Sequence, residues 1–188
     1  MDMNIDIVGL AIATFVFVMS PGAGVLALVA AGLRQGWPSA LWLGTGLILA
    51  DTVYMVLALF GLGFLGHWLP SILDYARVVG AIYLLYLGVV TLMTHLPKHV
   101  DSAKHRSKYL LLLGGFGISI TNPKVIFFYL GILPSFVPLV DMTLSLALQA
   151  IITMVIVLYV GCAIYAGLCH WVRQALENTS VARSIQVV

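Results

Sequence analysis

The sequence predicts an all-α fold: a polytopic bundle of membrane-spanning helices, read as one transmembrane domain over residues 1–188. Three observations predict it. Hydrophobic residues make up 62% of the chain and charged residues only 9%, against roughly 25% charged in soluble domains. The mean hydropathy is +1.09 for a chain of 20.3 kDa, so the few charges cannot cover a globule and lipid is the solvent. Third, two of the apolar stretches carry a proline near their centres, in Ser20-Pro21-Gly22 and Asn122-Pro123-Lys124. This balance excludes a soluble enzyme and a disordered chain. With a net charge of +2 it also excludes a nucleic-acid partner, which requires a concentrated basic face.

A spanning helix needs about 20 mostly apolar residues. Five charge-poor stretches qualify, at about 5–33, 40–64, 77–94, 109–137 and 143–170. The connectors carry turn chemistry: Arg34-Gln-Gly-Trp-Pro38, Gly66-His-Trp-Leu-Pro70, and a polar stretch from His95 to Lys108. The N-terminus has no basic region ahead of its apolar run, so that run is expected to be a retained span. Orientation follows from the short loops. With alternating spans, Arg34, Lys98, Lys104, Arg106, Lys108, Arg173 and Arg183 share one side, seven of the nine basic residues. Asp2, Asp6, Asp74 and Asp141 share the other, with Arg77 the one exception. The N-terminus is expected outside and the C-terminus in the cytoplasm.

Two charges remain inside the bilayer. Asp51 lies roughly 17 Å along the second stretch at 1.5 Å per residue, and Lys124 is similarly deep in the fourth. Each costs about 2.5 to 3.5 kcal/mol at a span centre. Intramembrane ionisable groups mark polar cavities and proton paths, and a carboxyl is the natural proton acceptor there. The competing account is a structural Asp51–Lys124 ion pair in a non-transporting subunit or scaffold, although desolvation offsets much of such a pair's Coulomb energy.

Each proline should break its span, because it lacks a backbone donor and pushes the preceding residue out of helical dihedrals. Ser and Asn favour N-cap positions and Pro the first helical position. Half-helices beginning at Pro21 and Pro123 would therefore start at mid-membrane. Their N-termini, with Lys124, would hold an anion; the carbonyl ends of the preceding halves, with Asp51, would hold a cation. A site with both poles suits a zwitterion such as an amino acid. Pro21 and Pro123 stand 102 residues apart, which fits inverted repeats over about 5–95 and 109–188, a plan common among secondary transporters.

At these residues the sequence resembles the LysE/RhtB family of amino-acid exporters. The resemblance rests on Ser20-Pro21-Gly22, Gly32-Leu-Arg-Gln-Gly36 with Gly44-Thr-Gly46, Asp51, Ala81-Ile-Tyr-Leu-Leu-Tyr-Leu-Gly88, and Thr121-Asn122-Pro123-Lys124, in that order. It implies a bacterial inner-membrane exporter of amino acids or related metabolites, driven by the proton gradient, with no enzymatic activity and no cofactor. Ser20, Pro21, Gly22, Asn122, Pro123 and Lys124 are then the expected substrate site and Asp51 the proton-coupling group. Two departures stand out. Ala23-Gly24 follows the first motif where the family usually continues Pro-Gly-Pro with a polar residue, and no sixth span fits after His170. The second repeat is therefore expected to be incomplete: truncated, completed by homo-oligomerisation, or inactive.

The remaining residues read as structural. Trp37, Trp42, Trp68 and Trp171 form an interfacial belt, with His67 and His170 as ordinary neighbours. Gly80 and Gly88 near Tyr83 and Tyr86 read as helix contact. His95, His99 and His105 lack tight metal-ligand spacing. A metal-cation exporter would need more ligands at mid-membrane than Asp51. Cys162 and Cys169, two turns apart on one helix, cannot bridge.

Overall fold

A computed structural model of the chain describes residues 5–61, 107–138 and 142–178, together with Tyr75, Val78, Ile82, Tyr86 and Val89. Among the described residues every regular element is helical. Helix α1 (Ile7–Met19) and helix α2 (Ala23–Gln35) form a pair bent by 62°. Helix α3 (Trp37–Val56) continues through one π-helical turn to Gly61. Helix α4 (Lys108–Ile120) and helix α5 (Pro123–Phe127), which runs on through a π turn and a 3₁₀ turn to Ser135, form a second pair bent by 57°. Helix α6 (Leu144–Asn178) is the longest. Among the described residues, two helices are long and apolar enough to cross a membrane, Trp37–Gly61 and Leu144–Ala175, and up to four spans result if each bent pair is one.

The third expected stretch, at about 77–94, lies largely outside the described residues, as do His67, Trp68, Gly80, Gly88 and the loop histidines. Tyr75, Val78, Ile82, Tyr86 and Val89 are helical and exposed. Their three- and four-residue spacing puts them on one face.

Local chemistry explains the ends. The Asp6 carboxylate accepts from the Gly9 N–H at 2.8 Å and caps α1, and Ser107 caps α4 through the Leu110 N–H. Gly36, at φ 88°, turns the chain between α2 and α3 in one residue, a conformation that penalises any side chain. Helix α6 runs beyond the expected end at His170 to Asn178; neither Gly nor Pro interrupts residues 168–178, so nothing stops it where the apolar stretch ends.

The charge distribution is inverted relative to a soluble protein. Asp51 and Lys124 are each only 5% exposed, whereas Ile12, Val16, Leu113, Ile152 and Ile156 are at least 55% exposed. Only a hydrocarbon solvent makes that arrangement favourable. With no hydrophobic drive between helices in lipid, close backbone contact has to hold them. Helices α3 and α4 meet in this way. A Cβ added at Gly46 would collide with the Leu112 carbonyl oxygen, and one at Gly115 with the Leu43 carbonyl oxygen. Helix α6 completes the bundle through side chains, with Gly161 against Val18 of α1 and Gly44 of α3 against Cys162.

Arg34, Lys108 and Arg173 gather at one end of the bundle. Lys108 lies 5.6 Å from the Trp42 ring centroid, and a Cβ at Gly36, two residues beyond Arg34, would lie 3.7 Å from the Arg173 guanidinium. Trp37 and Trp171, both exposed, flank the same end.

Candidate functional site

The two breaks differ in construction. At the second, the expected geometry is observed: Asn122 is the N-cap of α5, its Oδ1 accepts from the Lys124 N–H at 3.0 Å, and Pro123 takes the first turn. At the first break, α2 begins at Ala23 rather than at Pro21, with an extended Gly22 as N-cap and no side-chain capping bond. Ser20 instead ends α1, where its hydroxyl donates to the Phe17 carbonyl at 2.8 Å. The reason is the extended run Ser20-Pro21-Gly22: with Gly22 also outside the helix, Pro21 cannot occupy its first position, and Ser20 falls too far back to cap it.

Breaking a helix strands carbonyls. The helical partner of the Phe17 oxygen would be the N–H of residue 21, which proline lacks. Ser20, at ψ 135°, turns its own carbonyl out of the helical direction. Lys124, reaching across from α5, satisfies both: its Nζ donates to the Phe17 oxygen at 2.8 Å and to the Ser20 oxygen at 2.7 Å. It also lies 4.7 Å from the Phe17 ring centroid, within cation–π range. The Phe17 ring is itself stacked on Phe128 at 4.2 Å. Gly22 leaves room for the lysine stem; a Cβ there would approach Lys124 Cδ to 3.3 Å.

Two further carbonyls at the helix ends are taken by tyrosines in a reciprocal arrangement. Tyr54 of α3 donates to the Ile120 carbonyl at the end of α4, at 2.6 Å. Tyr165 of α6 donates to the Met19 carbonyl at the end of α1, at 2.8 Å.

Asp51 accepts a short hydrogen bond from the Ser119 hydroxyl, in the last turn of α4. The Gly46–Gly115 crossing brings these two helices together about one turn earlier, which sets that contact. The Tyr129 hydroxyl is fully buried beside the Asp51 carboxyl. Among the described residues no direct ion pair joins Asp51 to Lys124, whose polar atoms bond the Ser119 hydroxyl and the two α1 carbonyls.

Gly22, Gly24, Asp51, Ser119, Asn122 and Lys124 line a common cavity of about 50 Å³ between the breaks, with Phe17, Leu158 and Cys162 among its apolar walls. Of the residues expected from sequence, Gly22, Asp51, Asn122 and Lys124 therefore meet there. Ser20 contributes its carbonyl to Lys124, and Pro21 and Pro123 act through the backbone they interrupt. Lys124 does not stand at an anion pole in this state; it occupies the carbonyl end of α1. Sequence reasoning missed Ser119, Tyr129, Tyr54, Tyr165 and the ring of Phe17. Tyr54 alone had a signal, three residues after Asp51 on the same helix face.

Chemically, the cavity is bordered by the Asp51 carboxyl, the Ser119 hydroxyl, Lys124 and Phe17, with Gly24 and Val25 of the first turn of α2 on its wall. It is roomy enough for a few waters, each needing ~10–15 Å³.

Known proteins bear on what such a cavity serves. A leucine efflux protein of Enterobacter sp. (strain 638) is 28% identical over 166 residues, covering 83% of this chain and 76% of that protein. An uncharacterized membrane protein of Synechocystis sp. is 29% identical over 155 residues, covering 80% and 73%. A leucine efflux protein of Salmonella choleraesuis is 30% identical over 133 residues, covering 67% and 59%. No solved structure matches the chain. The LysE type translocator family matches residues 15–188, and over that range two proline-interrupted helices meet at a buried carboxyl and a buried lysine: the chain belongs to the LysE type translocators.

Proposed function

We propose that the protein is a proton-coupled exporter of small zwitterionic amino acids, with leucine as the first substrate to test, in the bacterial inner membrane. The observation that carries this reading is the cavity between the breaks, which a buried carboxyl and a buried lysine share in an otherwise apolar bundle. Names of relatives support amino-acid efflux. The tyrosine exchange, in which each break is held by the next span of the other half, supports an inverted repeat. Five spans, with the N-terminus outside, fit that plan. The basic end with Arg34, Lys108 and Arg173 is then cytoplasmic.

In this scheme Asp51 takes a proton from outside once substrate has left and releases it inside as the next substrate binds. Ser119 donates to the ionised carboxylate and can accept from the protonated acid, so the contact survives both states. The anion pole is supplied by the first-turn amides of α2 at Gly24 and Val25, which line the cavity. A second cavity of about 230 Å³, lined by Ala27, Ala31, Arg34, Leu111 and Gly114, lies toward the basic end and offers the cytoplasmic approach. The central cavity is too small for an amino acid, so the half-helices must part for transport.

The test is Asp51→Asn in membrane vesicles. It should abolish leucine export driven by a pH gradient while the folded protein accumulates normally. An Asn variant that transports like wild type across the pH range removes the coupling role.

A further inference from the structure

Lys124 is a primary ammonium on a four-carbon stem, buried, with no carboxylate bonded to it among the described residues. What holds it is the α1 end: two stranded carbonyls at 2.8 and 2.7 Å, the Phe17 ring at 4.7 Å, and Gly22 making room for the stem. The seat is built from parts that each exist for it. Pro21 strands the Phe17 oxygen, the extended Ser20 presents a second oxygen beside it, and the helix end adds its partial negative charge. Apart from the room that Gly22 leaves for the stem, the seat's contacts are made to R–NH₃⁺.

We propose that the α1 carbonyl end is a primary-ammonium seat, filled by Lys124 in this state and by the amino group of the exported molecule in another, so that the two alternate. The second half rests on the exporter reading above. The stem borders the same cavity as Asp51, and that cavity has no room for an amino acid while Lys124 is seated. As the half-helices part to admit substrate, the incoming ammonium has the same charge and the same three donors as the lysine and can take its place. Once displaced, Lys124 is free to meet the substrate carboxylate. Return without substrate reseats the lysine, so the stranded carbonyls are never left bare in hydrocarbon, where unpaired polar groups are costly.

The seat is tested by size-matched rescue of purified protein. Lys124→Met keeps the stem and removes the charge; Lys124→Ala removes both. Thermal unfolding should shift up by several degrees with ammonium for Lys124→Met and with propylammonium for Lys124→Ala. Wild type should not respond, and tetramethylammonium, which cannot donate, should do nothing. Equal shifts in wild type, equal shifts with tetramethylammonium, no shift in either variant, or failure of both variants to fold at any ammonium or propylammonium concentration would overturn the seat. Alternation is tested on wild type: saturating leucine should raise acetylation of the Lys124 amine by an activated ester, mapped by mass spectrometry. No rise in vesicles that export leucine overturns alternation. Vesicles that export no leucine count against the exporter reading, and the ammonium and propylammonium result stands apart from it.

Discussion

The first break receives and the second gives. The break at Ser20-Pro21-Gly22 presents acceptor carbonyls and space for a side chain, whereas Asn122-Pro123-Lys124 is self-capped and projects a charged side chain into that space. The same local chemistry, a proline inside an apolar helix, thus produces opposite halves of one contact. The difference lies in the neighbours: Asn122 caps its own helix and brings it to start at Pro123, while Gly22 lets the chain stay extended and contributes only space. Two proline breaks in one bundle need not be equivalent. Here one is the socket and the other the plug.

The two halves are also anchored differently. The helix leading into the second break is held by backbone against backbone at Gly46 and Gly115, and that leading into the first by side chains at Gly161 and Val18. Substituting these glycines with Ala should rank accordingly. Gly115→Ala should cost on the order of 3 kcal/mol or more, since neither carbonyl nor helix axis can yield cheaply and overpacking alone costs about 1–3 kcal/mol; it should also loosen Asp51 from Ser119. Gly161→Ala should cost less, because Val18 can shift. Gly114→Ala, with open space at its Cβ, should be neutral or slightly stabilising through helix propensity of up to about 1 kcal/mol. Unfolding in mixed detergent checks the ranking, and equal costs at positions 114 and 115 would dissolve the contrast.

The capping asymmetry predicts a smaller effect. Asn122→Ala should destabilise by about 1 kcal/mol through loss of its cap. Ser20→Ala should cost less, because the Phe17 oxygen it contacts keeps its bond from Lys124. Should Ser20→Ala prove the more damaging in the same unfolding assay, the first break is capped in the way the second is. Smallest of all are the tyrosine exchanges. Tyr54→Phe and Tyr165→Phe should each cost about 0.6 kcal/mol, the average of buried hydrogen bonds between membrane helices, and should be alike. A large disparity between them would break the reciprocity between the two breaks.

Much of this was legible in the chain. The helical class, four stretches whose described parts are helical, and both break positions followed from apolar run length and from proline, whose effects are local and independent of context. The singular burial of Asp51 and Lys124 followed from the cost of charge in hydrocarbon. The N-cap at Asn122 was legible for the same reason, while the matching expectation at Ser20 failed because two further residues stayed extended. Ser119 and Tyr165 were invisible: an isolated hydroxyl in an apolar helix fits a lipid-facing surface, a helix contact or a site equally well.

Taken alone, then, the sequence determined where the helices run, where they break and which charges have no water to meet, since each of these depends on a handful of consecutive residues and on the solvent. Only the tertiary structure decided the partners. Whether Lys124 meets Asp51, an anion or a carbonyl depends on the crossing of α3 with α4 and on the direction of one carbonyl at Ser20, and no spacing along the chain encodes how two helix axes approach. That Lys124 caps the end of α1 is therefore a fact of packing, set by glycines whose role appears only when another backbone lies against them.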